Sequence, residues 1–342
     1  MKDEVVKVLS EDLEAVEAEG PRFEDRDLRM LYEAMLLTRS LDERCQALHR
    51  EGNIGFYVAA SGLEATSLGA AFAMAAGDWV FPSHRDPGMF LMRGGSVQSW
   101  IDQLYGNAND LLQGRQLPNH HSLPGGRFIS ISGSVGAQIV HAAGCGVAMK
   151  ARGDRGAVLV SFGDAAASQG GFHTGLNFAG VFGAPVVFLC QHRQRVPDSV
   201  QLAPRVESLA AKAVAYGFGG ARVDGTDLLA VIKVVSEARE RAAEGAGPTL
   251  IESVLPAAGG GDDPLSRLRS YLELCGLWDA AWEEELSNRR RQLLETAVTQ
   301  ASSTPEPAPE SMIFDVYAEP PWMLLERRAM LVQGGERGDG HA

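Results

Sequence analysis

VLVSFGDAAASQGGFHTGLNFAGVFGAPVVFLCQHRQR, from Val158 to Arg195, decides how the rest of the chain is read. Two short apolar runs, Val158–Phe162 and Pro185–Cys190, flank a segment of helical length rich in Gly and Ala. Parallel strands need a crossover of a dozen or more residues, and this spacing supplies one helix between two strands. In a doubly wound sheet, ligands collect beyond the carboxyl ends of the strands. Gly163-Asp164 follows the first strand and Gln191 to Arg195 the second, so both fall at that edge. Gly163 permits a tight turn, and Asp164 offers a carboxylate suited to a hard cation such as magnesium. A Gly-Asp pair alone is far more often just the start of a capped helix, so the second strand end carries the argument.

Outward from this unit the alternation continues. Towards the C-terminus come a helix near Val206–Tyr216, a strand Ala221–Val223, a helix Leu228–Ala243 and a strand Thr249–Val254. Towards the N-terminus lie the turn Gly153–Gly156, an Ala/Gly-rich helix Gly136–Lys150, a strand Trp79–Phe81, a helix from about Leu63 to Ala76, and an amphipathic helix Asp27–Arg50. Strands alternating with helices of this length predict an α/β fold, a doubly wound parallel sheet with helices on both faces. Residues 1–26 read as an N-terminal extension, 27–300 as the α/β domain, and 301–342 as a Pro-rich linker (SSTPEPAPES) and tail, frayed from Gly334.

Composition narrows the function classes. The chain has 342 residues, 45% of them hydrophobic, and a formal charge of -13, so most of its surface repels nucleic acid. Cys45, Cys145, Cys190 and Cys275 are scattered without a CxxC pair, which points to reduced thiols rather than disulfides or zinc. The acidic start MKDEVVKVLSEDLEAVEAEG lacks the basic-then-apolar order of a secretory leader, and no apolar run reaches the roughly 20 residues of a membrane span. A cytoplasmic location is expected.

Further segments stand in order along nearly the whole chain: GFYVAASGLEAT (Gly55–Thr66), GDWVFPSHRDPG (Gly77–Gly88), YGNANDLLQGRQLPNHH (Tyr105–His121), ARVDGTDLLAV (Ala221–Val231), GPTLIES (Gly247–Ser253) and LSRLRSYLELCGLW (Leu265–Trp278). With the central unit, they resemble the α subunits of thiamine-diphosphate-dependent 2-oxo acid dehydrogenases, most closely the branched-chain type. The resemblance implies thiamine diphosphate and magnesium as cofactors, and an α2β2 heterotetramer in which a β-type subunit supplies the carboxylate that activates the cofactor. It also implies oxidative decarboxylation of a 2-oxo acid, with acyl transfer to a lipoyl-bearing acyltransferase, and cofactor contacts at His84, Arg85, Ser132, Ser134, Gly163, Asp164, Ala165, Ala166, His192, Arg193 and Arg195, with Asp164 as metal ligand. Ser132 and Ser134 read equally as caps of the following helix. His120 and His121 read as a solvated loop pair, and Cys190 as a small buried hydrophobe.

The site departs from the family pattern. Arg193, 29 residues after Asp164, stands where the family has a metal-binding Asn, and a guanidinium cannot ligate magnesium. His192 replaces the other Asn, His84 a Tyr, and Ala165 the second Gly of Gly-Asp-Gly. The long active-site loop before the Asp-Pro helix is reduced to LPAAGGG (Leu255–Gly261), without its Arg and His. Two readings stay open: a working α subunit with unorthodox cofactor contacts, or a catalytically silent paralogue that partners a β-type subunit. Arg193 is expected to form a bidentate pair with Asp164 and close the site; the alternative is an Arg-lined anion site without metal.

Overall fold

The structure is a computed structural model that describes residues 4–9, 23–194, 208–257, 260–261, 263–314 and 317–338. Its six strands are β1 (Val5–Val6), β2 (Trp79–Phe81), β3 (Val158–Gly163), β4 (Val186–Arg193), β5 (Gly219–Asp224) and β6 (Thr249–Leu255). They form one sheet in the order β1-β5-β6-β4-β3-β2, every pair parallel. The helices are α1 (Asp25–Arg50), α2 (Glu64–Ala73), α3 (Pro87–Met92), α4 (Val97–Tyr105), α5 (Ala137–Arg152), α6 (Gly170–Phe182), α7 (Leu228–Ala243), α8 (Pro264–Leu274), α9 (Ala280–Ser303), α10 (Ser311–Phe314) and α11 (Trp322–Gly338).

The sheet is covered on both faces, as its uninterrupted apolar strands require. Side chains alternate across it: Leu159, Val187 and Leu189 face a large core shared with α1, α2, α4, α7 and α9. Val158, Val160, Phe162, Val186, Phe188 and Cys190 face a second core built on α5 and α6. The doubly wound arrangement read from the sequence is what forms. Cys190 is fully buried, and that burial pushes its thiol well above the ordinary range.

Several boundaries differ from expectation. Residues 5 and 6, within the stretch read as an extension, add β1 beside β5. Asp227 fixes them there: its Oδ2 accepts the amides of Val8 (2.7 Å) and Leu9 (2.6 Å), while its Oδ1 caps α7 through the Ala230 amide (3.0 Å). Arg267 of α8 binds the Leu9 carbonyl and pairs with Asp224 at 2.7 Å. The helix expected near Val206–Tyr216 is a 3-10 turn over Ala210–Tyr216, ended by Gly217 at φ +83°; residues 206 and 207 lie outside the described residues. Helix α11 runs on past Gly334 to Gly338. Among the described residues, no helix is long and apolar enough to cross a membrane.

Candidate functional site

The carboxyl ends of β3 and β4 frame a cleft of about 230 Å³. The β3–β4 register sets Gly163 beside Gln191, and Arg193 pairs with Leu255 of β6. Because β4 runs on through Arg193, strand alternation sends Gln191 and Arg193 into the cleft and His192 to the opposite face. His84, Arg85, Ser132, Ser134, Gly163, Asp164, Ala165 and Ala166 line the same cleft. The structure thus gathers most of the expected site residues around one space, although they come from four separate segments. Arg195 lies outside the described residues.

His192 is the exception. Its Nδ1 lies 2.7 Å from Oε1 of Glu252, a carboxylate buried beneath β6. Oε2 of Glu252 accepts the Ser208 hydroxyl (2.9 Å) and the Ala210 amide (3.1 Å), with Arg222 at 3.4 Å. Burial alone would raise the Glu252 pKa, but the His192 hydrogen bond and these other donors hold it below the usual range. His192 therefore belongs to a hydrogen-bonded hub around Glu252 and is not among the residues that line the cleft.

The expected Arg193–Asp164 pair does not form either. Arg193 Nη2 donates instead to the Ser61 carbonyl at 2.9 Å, and its guanidinium lies against Gly62. That turn is held from below. The buried Asp42 accepts the Tyr57 hydroxyl (2.9 Å), the Ala60 amide (2.8 Å) and the Ser61 hydroxyl, and Glu64 accepts the Gly62 amide while pairing with Arg39 of α1. Burial first, then the nearby Arg85, lowers the Arg193 pKa, with Glu64 opposing. So Arg193 has a neutral hydrogen-bond partner and its charge is directed into the cleft.

Behind the cleft runs a polar network that joins Gln191, at the strand end marked in the sequence, to Asp86, Ser83 and Ser161. Gln191 Nε2 donates to Asp86 Oδ1 (2.7 Å) and to the Ser161 hydroxyl (3.0 Å), and Gln138 Nε2 donates to the Ser161 carbonyl (3.1 Å). Asp86 Oδ2 accepts the Ser83 amide and hydroxyl, each at 2.7 Å. Burial raises the Asp86 pKa, opposed by these donors. Asp86 sits inside HRDPG, and its neighbour Arg85 drew the attention in sequence. Ser132 and Ser134 do not cap α5: its N-cap is Gly136, at φ +82°, with no side-chain cap bond.

At the mouth, His84 Nε2 meets His120 Nε2 at 3.1 Å, with Phe56 edge-on to His84. Burial, then His120 and Arg85, brings the His84 pKa down to about 4, so it is neutral at pH 7. The solvated histidine pair expected in the loop is buried instead. His121 stacks on Trp100 with ring centroids 3.4 Å apart, its Nε2 3.0 Å from the Trp100 carbonyl, and burial lowers its pKa to about 3.

These residues do not fit a magnesium–diphosphate group. Magnesium demands a near-octahedral shell of oxygens. Both oxygens of Asp86 are engaged by Gln191 and Ser83, which leaves Asp164 as the cleft's carboxylate, and a guanidinium lies in the same space. No cluster of three or more His, Cys, Asp or Glu able to hold a metal exists among the described residues.

Residues 32–256 match the family model described as "Dehydrogenase E1 component". The chain is 33% identical to the pyruvate dehydrogenase E1 component subunit alpha of Bacillus cereus, over 95% of this chain and 91% of that protein. It is 34% identical to the corresponding subunit of Staphylococcus epidermidis, over 95% and 92%. Against the human mitochondrial 2-oxoisovalerate dehydrogenase subunit alpha the identity is 32%, over 92% of this chain and 76% of that one. By fold, site position and likeness along its length, the chain belongs to the dehydrogenase E1 component family, among the α subunits of thiamine-diphosphate-dependent 2-oxo acid dehydrogenases.

Proposed function

We propose that this chain is a non-decarboxylating α-type subunit that pairs with a β-type subunit of the same 2-oxo acid dehydrogenase class, as a structural or regulatory partner. The observation that carries the reading is Arg193: it stands where the family has a metal-binding Asn, its guanidinium is anchored on the Ser61 carbonyl, and His192 is committed to Glu252. A second support is the short link from the end of β6 at Leu255 to the start of α8 at Pro264, where the family's Arg- and His-bearing loop has no counterpart. Assembly is supported by α6. Phe172, Gly175, Leu176 and Ala179 bury one face, and Phe178, Val181 and Phe182 leave an apolar stripe exposed on the other. An exposed apolar stripe on a helix already buried along its other side marks a surface that is covered in an assembly.

Calorimetry of the chain with thiamine diphosphate, and a turnover assay with a co-expressed β-type subunit, test this. Magnesium is expected to leave the binding heat unchanged, and neither pyruvate nor 2-oxoisovalerate to be decarboxylated. Arg193→Asn is expected to introduce magnesium dependence while still failing to turn over. Steady decarboxylation by the unaltered pair overturns the proposal.

A further inference from the structure

The two arginines of the cleft share no carboxylate between them. Arg85 is exposed, and its guanidinium makes no hydrogen bond or ion pair among the described residues; only its backbone amide is engaged, by the Ser83 hydroxyl at 3.2 Å. Arg193 is half-buried, and its Nη2 is tied to a neutral carbonyl. Both line one space, and the charge of Arg85 lowers the pKa of Arg193 and of His84. Like charges that line one space repel, and a side chain free to turn away relieves the repulsion. Here Arg193 cannot withdraw easily, because the turn that receives it is fixed by Asp42 and Glu64. Gly62 completes the berth: it takes φ +83°, and a Cβ there would lie 3.3 Å from Arg193 Nη2. Against the two guanidiniums the lining sets one carboxylate, Asp164, and a neutral His84, so the cleft keeps an excess of positive charge.

We infer that the cleft is a metal-independent site for a diphosphate anion, in which Arg193 is a built-in cation in the place of a divalent ion. Guanidinium forks match phosphate oxygens two at a time, and Arg85 and Arg193 offer two such forks around one volume. Ser134 and Ser132 add polar groups to the lining. No bond is made or broken. The inference deepens the reading of this cleft given above and rests on its metal-free character, but it does not need the partner subunit.

The test is calorimetry with inorganic diphosphate on the full chain, alone or co-purified with a β-type subunit, in EDTA and again with magnesium. Binding is expected in EDTA, with an affinity that magnesium changes less than threefold and that falls steeply as salt rises, as surface-accessible charge pairing does. Arg193→Gln and Arg85→Gln are each expected to weaken it at least tenfold. Arg155→Gln, in the separate basic pocket beside Trp79, is expected to leave it unchanged. Should an arginine variant fail to fold, the comparison of EDTA with magnesium on the unaltered chain still decides. No heat under either condition sinks this inference and leaves the proposed function standing; binding only with magnesium sinks both.

Discussion

At Gly62 the backbone takes a left-handed φ that other residues adopt at a cost, and a Cβ there would lie 3.3 Å from a guanidinium that reaches the Ser61 carbonyl from 132 residues along the chain. Spacing from Asp164 singles out Arg193 as the residue expected at the metal position. Its destination was not legible, because the carbonyl that receives it belongs to a turn whose shape depends on the buried Asp42 and Glu64. An exposed Arg–Asp pair would have gained little in water, whereas a carbonyl fixed beside the strand end offers a ready acceptor without a second mobile side chain. His84 shows a neighbouring effect on proton binding. Its pKa of about 4 in the folded chain lies below the ordinary 6.5, so the unfolded chain takes up the proton first. The contribution of His84 to stability is therefore complete above about pH 6.5 and is lost as pH falls towards 4, with His120, Arg85 and Phe56 as the groups that face it. His84→Gln should flatten the stability–pH profile in that window. Urea unfolding at a series of pH values measures this, and an unaltered profile would remove His84 from the account.

Strand β4 has two faces with different duties: Gln191 and Arg193 line the cleft, and the residues that alternate with them are structural. Cys190 and His192 point away from the ligand edge, and His192 ends on Glu252, which also collects Ser208, Ala210 and Arg222. Removing this carboxylate strands several donors in a poorly solvated place. Glu252→Ala should cost about 3 kcal/mol of unfolding free energy, read from the denaturant midpoint, while Arg193→Asn should cost much less; equal losses would deny Glu252 its role as a hub. How well the elements could be read follows from their patterning. Trp79–Phe81 and Leu228–Ala243 have the expected bounds, since apolar periodicity and turn residues agree there. By contrast β4 outruns its apolar segment by three residues, Gln191, His192 and Arg193, because pairing with β6 satisfies a polar strand end that composition alone reads as loop. The two-residue β1 escaped notice altogether: it is fixed by side chains from distant segments and not by any local pattern.

At the scale of the molecule, the half-covered α6 sets the terms of assembly. Phe178 and Phe182 stack with ring centroids 6.0 Å apart, and Val181 beside them is 71% exposed. An i, i+3, i+4 stripe of this kind on a helix already buried along its other side calls for a partner surface rather than for water. Phe178→Ser combined with Val181→Ser should weaken recovery with a co-expressed β-type subunit at least tenfold, with little change in thermal unfolding of the chain. Undiminished recovery would move the contact to another surface. The sequence signals small, closely packed helices in this region, but which face of α6 is left bare depends on how it lies against α5 and β3, and that is a property of the assembled sheet.

The Asp227 clasp gives the chain an order in time. Residues 5 and 6 complete the sheet only by returning to a strand end more than 200 residues later, where the Val8 amide meets Asp227 across a separation of 219 residues. Contacts this distant close late, after the loop they span has already condensed. Until they do, β5 presents an open edge to any other strand nearby, including another copy of itself. The hazardous interval in the life of a newly made chain is thus the wait for its own first residues to come back, and Asp227 with Arg267 is what ends it.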